Sequence, residues 1–419
     1  MSRRDRGWPG VLAAALLAGC MAPAHAQHTG PIRQGFDAAW ARQPEGRAAA
    51  QRRDAAAASI DAAQRWTPGP PALELAAKTD QFNRNAGVRE YEAGVAVPLW
   101  LPGERDGAQA AASSDAAALD ARLLAAQWRL AGEVREAYWG YQRARIAQQS
   151  AERRLANARQ LADDVARRLR AGDLARADSH LAEGAVAAAQ VALAEAALAR
   201  LQAERAWTLA TGAPALPAKP ATGTTAEPLP AQVTVAAQWP EAPAHPALRE
   251  LAAKADVARR QQALAGLQDR ANPEVLVGGV RERDALGERY AQSLIVGLHI
   301  PLGRSHASDA RYASASADLT EAQGELALAQ ERVRSQAEAA RTRVDLLGQA
   351  LAAATRRAGL AHETRSFFDK SFRAGETDLP TRLRIELEAF EAERQAAASR
   401  IELQAAISQL RQALGLLPE

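Results

Sequence analysis

Residues 170–178 read RAGDLARAD, and residues 373–381 read RAGETDLPT. Each lies between two long alanine-rich stretches, and the two Arg-Ala-Gly triplets are 203 residues apart. Other landmarks recur at nearly the same distance. Pro44 and Pro246 differ by 202, as do Pro71 and Pro273; Pro98-Leu99 recurs as Pro301-Leu302 after 203, and Gly212 as Gly415 after 203. Landmarks repeating in one order mark an internal duplication, and a period this long is not that of a solenoid. Gly103 and Gly303 differ by 200, so a short compensated insertion follows each Pro-Leu. The repeats run over residues 27–212 and 246–419. Between them, 213–245 is rich in Pro, Ala and Thr, the composition of an extended linker.

Each repeat opens with a helical stretch, 32–65 in the first and 246–270 in the second. Two strand-like runs follow: ALELAAK (72–78) and VREYEAGVAVPLW (88–100), then EVLVGGVRER (274–283) and RYAQSLIVGLHIPL (289–302). Tyr91, Ala93, Val95 and Val97 share one face, with Glu92, Gly94 and Ala96 on the other. Leu294, Val296, Leu298 and Ile300 likewise oppose Ser293, Gly297 and His299, with Ile295 the exception. Period two with one apolar face is a half-buried strand. DQFNRNAG and DALGE between the runs are turn-like. Each repeat therefore carries one hairpin (72–100 and 274–302). Four strands alone make only an open sheet. Two outcomes remain: a small soluble sheet packed on helix, or a barrel completed by other subunits.

A long proline-free helical pattern follows each hairpin, Glu104–Leu169 and His306–Phe372. At 1.5 Å per residue each reaches about 100 Å. Both carry a narrow seam. In the first it is Leu123, Ala126, Leu130, Val134, Ala137, Tyr141 and Ala144; in the second, Leu326, Ala329, Val333, Ala337, Ala340, Val344, Leu347 and Leu351. Steps of three and four with one doubled four at the same place mark a coiled-coil seam with a stutter. A second helix follows each, about 175–211 and 380–414, so the helical hairpins span 104–211 and 306–414. Leu403, Ile407, Leu410 and Leu414 give the last its apolar stripe. Gly172 and Gly375 fit the left-handed position past a helix end. Asp173 and Glu376 suit the start of the next helix, and Pro380 an early helical position. Arg-Ala-Gly is thus a hairpin tip, near 170–174 and again near 373–380.

The chain has 419 residues, 47% hydrophobic but only 5% aromatic. A net charge of +3, from 52 basic and 49 acidic residues, is not that of a polybasic nucleic-acid binder. Cys20 is the single cysteine, which excludes an intrachain disulfide framework or cysteine metal cluster. SRRDR followed by VLAAALLAG (11–19) is a targeting segment, its apolar part too short to span a bilayer. LAGC (17–20) has the lipobox pattern, which would end the signal peptide at residue 19 and leave Cys20 lipidated. AHA (24–26) has the A-x-A pattern, which would end it at residue 26. Both export the chain. No later stretch approaches 18 consecutive apolar residues, so a membrane-spanning role falls to a β-barrel.

The ordered set resembles the TolC-like outer-membrane efflux protein family. The resemblance covers nearly all of the mature chain. It rests on the duplicated strand–strand–long helix–tip–helix plan, on VAVPLWLPGERDGAQAAA (95–112) and LHIPLGRSHASDAR (298–311), and on RLRAGDLARADSHLAEGAVAAA (168–189) and SFRAGETDLPTRLRIELEAFEAE (371–393). HPAL (245–248) and the short length look most like the heavy-metal cation efflux branch. The resemblance implies a mainly α fold with a small β part: a homotrimer pooling four strands per chain into one outer-membrane barrel, continued by a periplasmic α-helical coiled-coil barrel. It implies a passive conduit without cofactor or resident metal. Its partners would be outer-membrane lipid, a periplasmic adaptor (membrane fusion) protein and an inner-membrane pump of the resistance-nodulation-division type. Carried over residue by residue, the adaptor-docking tips are Arg170, Gly172, Asp173 and Leu174 with Arg373, Gly375, Glu376 and Leu379. Six positions after the tip glycine, where some family members place an acidic gate residue in the second repeat, stands Thr381; the first-repeat counterpart, Asp178, is the candidate gate carboxylate.

Two other classes account for less of the sequence. His25, His28, His180, His245, His299, His306 and His362 make no close ligand pair in the mature chain, and nucleophile-elbow, P-loop and dinucleotide motifs are absent, so an enzyme is not expected. A periplasmic coiled-coil scaffold without a channel accounts for the helices and the export signal. It leaves the strands repeated at the roots of both helical hairpins unexplained.

Overall fold

The computed structural model describes residues 30–213, 227–230, 245–303 and 306–419. The signal peptide, Cys20 and most of the inter-repeat linker lie outside the described residues.

The opening stretch of the first repeat is three helices rather than one: α1 (Pro31–Trp40), α2 (Pro44–Arg47) and α3 (Ala49–Gln64). Pro44 sits in the first turn of α2, where its missing N–H costs nothing and the preceding chain leaves the helix. Then come β1 (Ala72–Thr79), β2 (Arg89–Pro98), α4 (Glu104–Ala171) and α5 (Arg176–Thr211). The second repeat is α6 (Pro246–Leu267), β3 (Glu274–Arg283), β4 (Ala291–His299), α7 (His306–Arg373) and α8 (Leu379–Ala413). The fold is mainly helical with one small antiparallel sheet.

The two hairpins join. The sheet runs β1-β2-β3-β4, all antiparallel, with β2 and β3 paired from Arg89↔Arg283 to Pro98↔Glu274. Gly94 and Gly278 face each other at the centre of this junction, and a Cβ on Gly278 would lie 2.7 Å from the Ala93 carbonyl oxygen. Among the described residues β1 and β4 are left as open edges.

The helices repeat this order as four lanes. α5 packs on α4, α8 on α4, and α7 on α8. Toward the sheet, α3 takes the lane of α5, and α6 that of α8 between α4 and α7. α4 therefore has neighbours on two sides and α7 on one. Eighteen residues of α4 are buried against six of α7, which makes α7 an edge. Both seams read from sequence point inward: among their residues Leu130, Val134, Tyr141, Val333 and Ala337 are buried and none is exposed. The principal core lies midway along α4, where Ile32, Phe36, Leu130, Val134, Trp139, Trp207 and Ala405 meet. By length and composition α5 is long and apolar enough to cross a membrane. Alanine supplies most of that character, and the helix lies along α4.

Candidate functional site: the open edges and the helix tips

The sheet carries two chemically different faces. Reading across the register, one face has the rows Val97, Val275, Leu298; Leu73, Val95, Val277, Val296; and Leu75, Ala93, Gly279, Leu294. Its leucines stand in solvent in the single chain, with Leu294 77% and Leu73 71% exposed. The opposite face carries Glu74, Lys78, Glu90, Glu92, Glu282 and Ser293 among mostly small residues, with Leu276, Val280 and Ile295 as its larger apolar members. An apolar outside and a polar inside with period two is the pattern of a membrane barrel wall. The apolar rows, with the Tyr91 row above them, extend about 20 Å along the strands. Aromatic residues flank them: exposed Trp66 and half-buried Trp100 at the helix end, Tyr91 and Tyr290 at the hairpin end, their ring centroids 6.4 Å apart.

At the helix root, Glu104 fixes the sheet to the bundle. It is buried; its carboxylate accepts from the Leu101 N–H (3.0 Å), Gln268 Nε2 (2.8 Å) and Asn272 Nδ2 (2.6 Å). One side chain thus ties the start of α4 to the end of α6 and the entry to β3.

At the far end of the helices the two tips are built alike. α4 closes on Gly172 at φ 89, with Asp173 N donating to the Arg168 carbonyl (3.0 Å). α7 is followed by Gly375 at φ 79, with Glu376 N donating to the Ser371 carbonyl (3.0 Å). Positive φ is why glycine stands at both. Asp178 accepts from the Ala175 N–H (2.9 Å) and Asp378 from the Thr381 N–H (3.1 Å), so both carboxylates cap helix starts. The hydrogen bonds to Thr381 hold the Asp378 carboxyl below its ordinary range.

The predicted tip residues divide by exposure. Arg170, Gly172, Asp173, Arg373, Gly375 and Glu376 are exposed. Leu379 is 1% exposed, in an apolar knot with Val165, Ala182 and Phe372, and Leu174 packs half-buried against it. The leucines hold the tips together from inside. Sequence reasoning passed over Arg168, whose guanidinium donates to the Phe372 carbonyl (3.0 Å) and lies 4.6 Å from the Phe372 ring centroid. It binds the first tip to the second; its place one turn before the tip glycine was the available signal. Beside it lies a charged cavity of about 570 Å³, in which Arg382 contacts Asp369 (2.9 Å) and Glu386 (2.7 Å). Among the described residues no group of three or more His, Cys, Asp and Glu is placed to hold a metal ion.

Residues 36–213, the first repeat, match the family model for outer membrane efflux proteins. No curated protein sequence matches the chain. Among solved structures, CusC, described for the conformational changes accompanying folding and transmembrane channel formation, superposes with TM-score 0.73 at 17% identity over 92% of each chain. The fold is that of outer-membrane efflux channels. The CmeC outer membrane channel of Campylobacter jejuni gives TM-score 0.68 at 13% identity, over 92% of this chain and 85% of that one. The open MtrE outer membrane channel of Neisseria gonorrhoeae gives 0.68 at 18%, over 93% and 90%.

Proposed function

We propose that the chain is the outer-membrane channel of a tripartite efflux system. Three copies pool their strands into one twelve-stranded barrel, and their helices continue it as a periplasmic tunnel. The tips dock on a periplasmic adaptor bound to an inner-membrane pump of the resistance-nodulation-division type. The energy comes from the pump, and the channel performs no chemistry.

The observation that carries this reading is the pair of open edges. The sheet ends in unpaired β1 and β4, and the helical layer ends in α5 and α7. Backbone groups at a sheet edge cannot stay unpaired in lipid, so a sheet with a lipid-facing side must close. Four strands fall short of the smallest membrane barrels, which have eight. The outer flanks of the edge helices also expose large apolar residues: Leu181, Val191 and Leu198 on α5, and Leu346, Leu360 and Phe367 on α7. Heavy-metal cations are the candidate cargo, on the resemblance of the HPAL opening to the heavy-metal cation efflux branch.

Purified protein is expected to require detergent, to migrate as a heat-resistant trimer, and to give ion conductance in planar bilayers. A monomer soluble without detergent overturns the reading and favours the scaffold.

A further inference from the structure

We propose that Arg281 and Arg283 bind the phosphate of an anionic lipid headgroup at the hairpin end of the sheet's apolar face. This site rests on the membrane-spanning reading above. Arg281 and Arg283 alternate in phase with Val277 and Gly279, so both belong to the apolar face, directly beyond its last apolar row. Their guanidinium carbons lie 4.6 and 5.1 Å from the centroid of one ring, Tyr290. Two like charges over one ring repel each other, and an anion bound between them would offset that repulsion.

The nearby carboxylates do not supply that anion. Asp80 is taken by Arg89 (2.9 Å) and Glu90 by Lys78 (3.1 Å), and Glu288 accepts from the Ala285 N–H (3.2 Å). Alternation places Glu92 and Glu282 on the opposite face. Among the described residues neither arginine has a carboxylate in ion-pair contact. Arg283 Nε donates to the Gly87 carbonyl (3.1 Å), which orients the guanidinium and leaves its outer N–H groups.

Depth and chemistry favour a lipid phosphate. A lipid-facing cation costs least at the membrane interface, where anionic headgroups also attract it. The planar guanidinium fork matches phosphate oxygens, and tyrosine suits the same boundary. β3 is an inner strand of the sheet, so each chain carries a complete site whatever its neighbours do.

The test uses full-length protein in nanodiscs of equal phosphatidylglycerol and phosphatidylcholine, with retained lipid counted by native mass spectrometry. Wild type is expected to retain phosphatidylglycerol over phosphatidylcholine by on the order of tenfold, with the preference fading at high salt. R281Q/R283Q is expected to lose that preference while inserting normally, and R84Q/R289Q in the loops to keep it. Insertion with equal retention of both lipids by wild type overturns the site alone, as does loss of preference in the loop variant only. Failure of wild type to enter nanodiscs overturns the membrane-spanning reading and the site with it. Should the double variant not fold, the salt dependence of wild-type retention decides.

Discussion

The Arg135 guanidinium of α4 holds the Glu227 carboxylate of the inter-repeat segment in a bidentate pair, Nη2–Oε1 2.6 Å and Nε–Oε2 3.0 Å. Both side chains are nearly closed to solvent, at 3% and 5%. Ser408 also donates to Glu227, and Arg135 Nη1 to the Leu416 carbonyl (3.0 Å). Arg411 donates to the Pro228 carbonyl (3.1 Å). It also lies 2.6 Å from a Glu419 oxygen, without hydrogen-bond geometry. One linker residue thus gathers α4, α8 and the C-terminal segment.

Removing one partner of such a pair leaves a buried charge uncompensated, a loss of about 3–5 kcal/mol. Glu227→Ala strands Arg135 and removes the longer 3.7 Å contact to Arg411, which keeps Glu419, and is expected to lower the thermal midpoint of the detergent-solubilised protein sharply. Glu227→Gln keeps hydrogen-bond acceptance and is expected to fall between. Unchanged unfolding in Glu227→Ala would show the clasp to be dispensable.

Much of this fold was legible because its periodicities are long. Alternation over Tyr91–Val97 reports a two-faced strand, but its apolar side stands exposed in the single chain, with Tyr91 49% and Val95 42% exposed. The seam from Leu326 to Leu351 reports a buried direction, and none of its residues is exposed. The β2–β3 junction was hidden, since strand pairing between distant segments leaves no local pattern. Glu227 was hidden too: amid prolines and alanines its partners come from Arg135 and Arg411, far off in sequence. Pro44 ended one helical stretch that periodicity alone reads as continuous. Leu379 illustrates a different limit, because a leucine beside a tip glycine reads alike whether it faces a partner or its own core.

His245 caps α6, its Nδ1 accepting from the Ala247 N–H (3.2 Å), with its ring edge-on to Trp128. Burial holds its imidazole below the ordinary 6.5, partly offset by a backbone hydrogen bond to Gln412. The unfolded chain therefore takes up the proton more readily than the folded one. The contribution to stability is complete above about pH 6.5 and falls as pH drops through the lowered folded value. His245→Asn keeps a capping acceptor without the titration. Its stability is expected to decline less than wild type between about pH 7 and about pH 5; parallel decline in both would remove His245 as the cause.

Gly172 and Gly415 both have positive φ, 89 and 77. A Cβ at Gly172 meets nothing within 4 Å, whereas one at Gly415 would lie 2.6 Å from Pro246 Cδ and 2.8 Å from His245 Cδ2. Alanine at Gly172 is expected to cost only backbone strain, about 1–2 kcal/mol. Gly415→Ala adds steric conflict with the start of α6 and is expected to destabilise more, by thermal unfolding of both variants side by side. Equal losses would place the whole cost in the backbone.

The docking role proposed for the tips is tested by charge reversal. Among the described residues Arg170 Nε bonds only to the Ala166 carbonyl of its own helix (3.2 Å), while Arg373 pairs with Asp369 (2.9 Å). Arg170→Glu therefore disturbs little within the chain and is the cleaner variant. Combined with Arg373→Glu it is expected to abolish efflux-dependent resistance with the trimer still in the membrane. Full resistance in the double variant would remove the docking role from these arginines.

The duplication also fixes the expected register between copies. β3 corresponds to β1 at an offset of 202, from Pro273 and Pro71, and β4 to β2 at 203, from Pro301 and Pro98. Within one chain Val95 lies opposite Val277. The corresponding pair across the open edges is Leu298 with Leu75 of the next copy, and both residues belong to the apolar face. β4 runs toward the helices and β1 away from them, so the seam is antiparallel like its internal counterpart. Directly opposed Cα atoms in such a pair are about 4.5–5.5 Å apart, within disulfide reach. Oxidised L75C/L298C protein is expected to give a ladder ending at a covalent trimer. L298C with A76C should not cross-link, since one step along β1 turns the side chain to the other face. Cross-linking through Ala76 instead would shift the register by one residue, and a ladder ending at another multiple would replace the trimer.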